Sequence, residues 1–147
     1  MPRPAREIRV GFAGERRALA ARTVRRVVTA VLDGEGVGDA TVSVTFVSAA
    51  KMRTMNRRAF GHDRSTDVIA YPLPHGTTLV GDVYICPAVA RRSARRHGLT
   101  AREELVRLVI HGTLHVAGRD HPAAAREGSS MWRRQERYVR VLSTARG

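Results

Sequence analysis

Strand-like patterns dominate the first half of this chain and helix-like patterns the second. That order predicts an α+β fold, a small mixed β-sheet of about four strands packed with about five helices. Three observations carry the prediction. Val42, Val44 and Phe46 alternate with Thr and Ser, as a half-buried strand requires. Leu19, Val24, Val27, Val28 and Val31 recur at helical spacing among arginines. Pro and Gly punctuate the segments between such runs. With 147 residues and 43% hydrophobic content, the chain suits one domain with one core, spanning 1–147.

The elements follow in order. Glu7 to Phe12 is a short strand. Glu15 to Leu32 reads as a helix, and the glycine-rich Asp33 to Asp39 as a loop. Thr41 to Val47 is the second strand. Ser48 then caps a helix running through Phe60, and Gly61 to Ser65 is a loop. Asp67 to Tyr71 is the third strand, expected to stop at Pro72 and Pro74. Leu79 to Cys86 is the fourth. Pro87 suits the first turn of a helix through Arg96, which Gly98 ends. Thr100, with Glu103 three residues on, forms a capping box for a helix reaching about Ala117. A last helix covers roughly Ala123 to Leu142, with Met131, Trp132, Tyr138 and Leu142 as core packing.

Charge narrows the class of partner. Lys+Arg is 26 against 13 for Asp+Glu, a net +13, and Lys51 is the only lysine. A small arginine-rich domain attracts polyanions, because the guanidinium fork matches phosphate. The single cysteine, Cys86, allows no internal disulfide and suits a reducing compartment. The first residues, MPRPAREIRV, carry no apolar run of signal-peptide length, and no later stretch could span a membrane. The expectation is a cytoplasmic protein with no membrane partner.

The segment HGTLHVAGRDH, His111 to His121, holds three of the six histidines. His111 and His115 lie four apart, one helical turn, and so point the same way. At about 100° per residue, Leu105, Leu108, Val109, Gly112 and Val116 share the buried face, with both histidines at its edge. Gly118 is placed to end the helix in the left-handed conformation. The returning chain then presents His121 to the same point, stiffened by Pro122. Three imidazoles without a fourth protein ligand describe a catalytic zinc site open to water, on a zincin-like metal helix. Ni, Co or Mn would also suit imidazole. Asp120 reads equally as a turn former or as a hydrogen-bond partner of a ligating ring.

The spacing matches the metzincin peptidase pattern H-E-x-x-H-x-x-G-x-x-H at its histidines and glycine. It departs at Gly112, where those enzymes carry their glutamate base, which counts against peptide hydrolysis. HGTLHVAGRDH closely resembles the H-G-x-L-H-L-x-G-x-D-H signature of the YbeY family. DRSTDVIAYP, Asp63 to Pro72, and GDVYIC, Gly81 to Cys86, resemble two further blocks of that family. The similarity reaches nearly the whole chain.

The resemblance implies a zinc-dependent, single-strand-specific endoribonuclease of the bacterial cytoplasm. It implies a role in ribosomal RNA maturation, at the 3′ end of the small-subunit RNA, and in ribosome quality control. Partners would be single-stranded or ribosomal RNA and the ribosome or its associated proteins. His111, His115 and His121 carry over as metal ligands. The family's arginine before the loop is Phe60 here, and Ser65 replaces a proline. Arg57, Arg58 and Arg64 are the candidates for RNA phosphates. His111, Asp82 and Asp120 are the catalytic candidates, Asp82 by orienting a histidine or helping to activate water, although an aspartate entering a strand ordinarily satisfies a turn or pairs with arginine. The rival readings are a metallopeptidase, a non-catalytic ribosome-assembly factor and a charge-driven RNA chaperone.

Overall fold

A computed structural model describes residues 2–73, 76–118 and 130–143. Its elements are β1 (Arg6–Ala13), α1 (Ala21–Gly34), β2 (Ala40–Val47), α2 (Ala49–Phe60), β3 (Val68–Leu73), β4 (Leu79–Ile85), α3 (Pro87–Arg96), α4 (Ala101–Val116) and α5 (Ser130–Leu142). The strands form one sheet in the order β1-β2-β4-β3. β1, β2 and β4 run parallel, and β3 is antiparallel to β4 at one edge. The expected mixed four-stranded sheet with five helices is therefore present among the described residues.

Strand alternation sorts the sheet into two faces. Val42, Val44 and Phe46 of β2 and Val83 and Ile85 of β4 are buried in the main core, with Ile8, Val10 and Phe12 of β1 beside them. α1 contributes Val24, Val27, Val28, Val31 and Leu32 to that core, all fully buried. Fully burying each such side chain stabilises the fold by about 1.5–3 kcal/mol before entropy is subtracted. A smaller cluster on the other side joins Val47, Met52, Ile69 and Cys86.

α4 is the central helix. It packs against α1, α3, α5, β3 and β4, which is why it is buried nearly all round from Glu104 to Val116. The capping box forms as expected. Thr100 Oγ1 accepts from the Glu103 backbone N–H at 3.0 Å, and the Thr100 N–H donates to Glu103 Oε1 at 3.3 Å. Two glycines let α4 approach the sheet closely. A Cβ on Gly112 would lie 2.4 Å from Val83 Cγ1, and one on Gly81 would lie 2.3 Å from Val116 Cγ1. Each glycine of one element thus receives a valine of the other.

Three boundaries differ from expectation by more than one residue. α1 begins at Ala21 rather than Glu15. Leu19 is buried in the core from a non-helical segment, so the apolar spacing runs one turn beyond the helix. The same helix runs on through Asp33 to Gly34, so the loop expected from Asp33 begins at Glu35. β3 continues through Pro72 to Leu73 instead of stopping at Pro72. β3 is an edge strand, where a missing N–H need not interrupt a ladder. Of the last helix, Ser130–Leu142 is seen as expected, and the stretch from Ala123 to Ser129 lies outside the described residues.

Candidate metal and catalytic centre

His111 and His115 occupy the half-exposed edge of α4, one turn apart. Their ring centroids are 4.5 Å apart, with planes inclined by 61°. Both rings line a small cleft of about 200 Å³ together with Val68, Ile69 and Ala70 of β3 and Phe60, the last residue of α2. The cleft arises because β3 runs beside α4 at the open edge of the sheet. At roughly 30 Å³ per water, it accommodates a few waters or a phosphate-sized group.

One of the two rings is oriented by a buried contact. His111 Nδ1 lies 2.7 Å from Oε1 of Gln135 on α5, and Gln135 is only 3% exposed. The amide's orientation follows from its other end. Gln135 Nε2 donates to Glu136 Oε2 at 3.2 Å. Burial works against the Glu136 charge, but hydrogen bonds from Arg107 and Gln135 hold its carboxyl below the usual range. An ionised carboxylate only accepts, so the amide NH₂ faces Glu136 and the amide oxygen faces His111. Nδ1 of His111 then carries a proton, which leaves Nε2 as the ring nitrogen that a metal would take.

The support extends further. Arg107 grips Glu136 through two hydrogen bonds, at 3.0 and 3.3 Å, and lies 3.7 Å from Glu104. Glu104, itself buried, accepts from Ser93 Oγ at 3.0 Å. α5 is also fastened at the end of α1. Tyr138 Oη donates to Glu35 Oε2 at 2.7 Å, and Arg134 pairs with Glu35 Oε1 at 2.9 Å. Burial first, and then the bond to Glu35, push the Tyr138 hydroxyl up to about 12. These contacts fix α5, and with it Gln135, against the histidine edge of α4.

The structure does not bring Asp82 to this centre. On β4, Gly81 and Val83 face α4, so Asp82 and Tyr84 face the opposite side of the sheet. Asp82 stands in register between Ser43 and Tyr71. The expectation that Asp82 orients a histidine or activates water is corrected accordingly: the sheet separates it from the rings. His121 and Asp120 lie outside the described residues. Among the described residues no group of three or more His, Cys, Asp or Glu converges.

The arginine candidates sit at the cleft-proximal end of α2. Arg57 and Arg58 are exposed in its last turn, and Arg64 follows in the loop. Arg57 lies 3.5 Å from Asp63, which Arg53 also holds at 2.8 and 3.0 Å. Its hydrogen bond to Arg53 is the main cause that holds the Asp63 carboxyl below its ordinary range. Arg57 is therefore partly committed within the loop, leaving Arg58 and Arg64 as the stronger phosphate candidates.

Gln135 was not anticipated from the sequence, although a signal for it exists. It falls at helical spacing between Met131 and Val139, a polar residue within the buried stripe of α5. Such a residue must find a hydrogen-bond partner. The donor chemistry agrees with a metal: two imidazoles on one helix edge open onto a cleft, and the inward nitrogen of one is taken up by a buried acceptor.

Comparison with known proteins places the whole chain rather than the site. Residues 13–143 match the profile of a family described as endoribonuclease YbeY. A Thermotoga maritima protein named endoribonuclease YbeY is 37% identical over 103 residues, covering 70% of this chain and 68% of that one. A Chlorobium phaeovibrioides protein of the same name is 32% identical over 127 residues, covering 86% and 85%. A solution structure from Thermotoga maritima superposes with a TM-score of 0.67 at 31% identity, over 92% of this chain and 88% of the other.

Proposed function

Because the chain belongs to the endoribonuclease YbeY family, we propose that it is a zinc-dependent endoribonuclease acting on single-stranded RNA. The observation that carries this reading is the buried Gln135 bond to His111, which turns the ring's Nε2 toward the role of a metal ligand. His111 and His115, with His121 from the chain beyond α4, are the residues that would hold the ion. Bound there, zinc supplies Lewis acidity and activates water near neutral pH.

The residues around the site have separable tasks. His115, one turn from His111, shares its edge of α4. Gln135, Glu136 and Arg107 keep His111 in one tautomer and one orientation. Arg58 and Arg64, with Arg57, draw the phosphate backbone to the lip of the cleft. Asp120, next to His121 in the chain, would accept from a ligating ring. The narrow cleft and basic rim favour an extended single strand over a duplex. By the same reading the substrate is ribosomal RNA, cleaved during maturation of the small-subunit 3′ end and in ribosome quality control. Its setting is the cytoplasm, with ribosome-associated proteins as partners. No described helix is long and apolar enough to cross a membrane.

The peptidase reading loses further ground. At position 112, where metzincins carry their glutamate, a bare Cβ already meets Val83, so there is no room for a catalytic side chain. The direct test is cleavage of single-stranded RNA by the purified chain with and without a chelator, beside a peptide assay. RNA cleavage that chelator abolishes and His115→Ala removes is expected. Peptide cleavage, or RNA cleavage indifferent to chelator, would overturn the reading.

A further inference from the structure

We propose that Phe60 is a stacking platform for one unpaired nucleobase of the RNA, placed beside the histidine cleft. The inference rests on the nuclease reading and adds a subsite to it. Of three Phe, three Tyr and one Trp, only Phe60 is exposed. It leaves 56% of its surface to solvent. Phe46 is buried, stacked on Phe12 with centroids 5.3 Å apart, and Tyr71 and Tyr84 meet edge to face. Phe60 alone offers an open ring, and it does so on the wall of the cavity that His111 and His115 line.

The ring stands on a firm base. The Ser48 side chain caps the start of α2, accepting from the Lys51 N–H at 3.2 Å. Left-handed Gly61 ends the helix immediately after Phe60. The loop that follows is tied back to α2 in two places. Asn56, buried, donates to the Arg64 carbonyl at 2.9 Å, and Arg53 clamps Asp63. A platform held in this way costs little ordering when a base settles on it.

Charge selects the occupant. Arg57 and Arg58 precede the ring within one helical turn, and Arg64 follows it. An aromatic face among guanidinium groups binds single-stranded nucleic acid, the bases stacking while the arginines hold phosphates. A duplex keeps its bases stacked on one another and has none to offer. Phe60 therefore selects unpaired RNA and holds the strand beside the cleft that His111 and His115 line.

The test compares Phe60→Ala, Phe60→Leu and Phe60→Trp in the full-length chain. Affinity is read by fluorescence anisotropy with a short single-stranded RNA and with its duplex, in chelator so that binding is seen without cleavage. Cleavage of the single strand is read separately with zinc present. Phe60→Ala should weaken single-strand binding by about tenfold, within what one base–aromatic stack contributes. Phe60→Leu should stay weak, Phe60→Trp should match or exceed the parent, and duplex binding should not change. An abasic nucleotide at the contacted position should erase the difference between parent and Phe60→Ala. The proposal is overturned if Phe60→Ala or Phe60→Leu binds the single strand like the parent, or if duplex binding falls in parallel. Parent cleavage with no effect of Phe60→Ala defeats the platform alone. A parent that cleaves no RNA with zinc defeats the nuclease reading on which the platform rests.

Discussion

Replacing Gln135 by leucine isolates the contact on which the histidine geometry depends. The side chains are close in volume, and the site is 3% exposed, so the change removes polarity rather than packing. Two hydrogen bonds disappear, to His111 at 2.7 Å and to Glu136 at 3.2 Å. Each contributes about 1 kcal/mol net, and leaving the His111 N–H without an acceptor costs about 1–3 kcal/mol. The added apolar burial of leucine, about 1.5–3 kcal/mol, offsets much of that loss, so thermal stability should fall by no more than about 2–3 kcal/mol. Metal affinity should fall as well, by an effect separate from folding. Outer hydrogen bonds to a ligating histidine are typically worth 10- to 100-fold, which is about 1.4–2.7 kcal/mol. Competition with a chromophoric chelator reads the zinc affinity, and a thermal melt of the metal-free chain reads stability. Gln135→Glu keeps an acceptor opposite Nδ1 but sets its second oxygen against the Glu136 carboxylate, so it should regain only part of the affinity. Unchanged zinc binding in Gln135→Leu would refute the argument that this amide sets the ring's tautomer.

Two further outcomes follow from the same geometry. Gly112→Ala places a Cβ 2.4 Å from Val83 Cγ1, and overpacking of this kind costs about 1–3 kcal/mol; the melting temperature should drop, and combining the change with Val83→Ala should recover much of it. Tyr138 should titrate near 12, well after an ordinary tyrosine at 10.0. Because its folded value is raised, its contribution to stability is complete below pH ~10 and is lost as pH rises through about 12. Burial, Asp82 and Tyr71 push Tyr84 up as well, so phenolate absorbance against pH should show Tyr138 as the last of the three tyrosines to ionise, and Tyr138→Phe should remove that latest step. A single transition of all tyrosines near pH 10 would contradict the buried bond to Glu35.

Local chemistry made much of the fold legible. Thr100 and Glu103 announce the start of α4, and Ser48, Pro87 and Gly98 mark other ends, because each acts through neighbours within a few residues. The failures involve contacts distant in sequence. Leu19 reaches the core without being helical, and only packing reveals that. Pro72 continues a strand because β3 proves to be an edge, a property of the whole sheet.

The site divides along the same line. His111 and His115 were legible because four residues make one turn. Gln135 reaches His111 from 24 residues further along the chain, and no local pattern could pair them. The misplacement of Asp82 was avoidable. Val83 and Ile85 are apolar and buried, so the alternation of β4 already assigned position 82 to the other face.

The central claim is that His111 and His115 open jointly onto one ion. Zinc content per chain, measured on the purified protein before and after dialysis and repeated for His115→Ala, tests it most directly. One zinc per chain in the parent, and dialysis-labile or absent metal in the variant, is the predicted result. A parent that holds no divalent metal, or a His115→Ala chain that retains zinc as firmly as the parent, would contradict it.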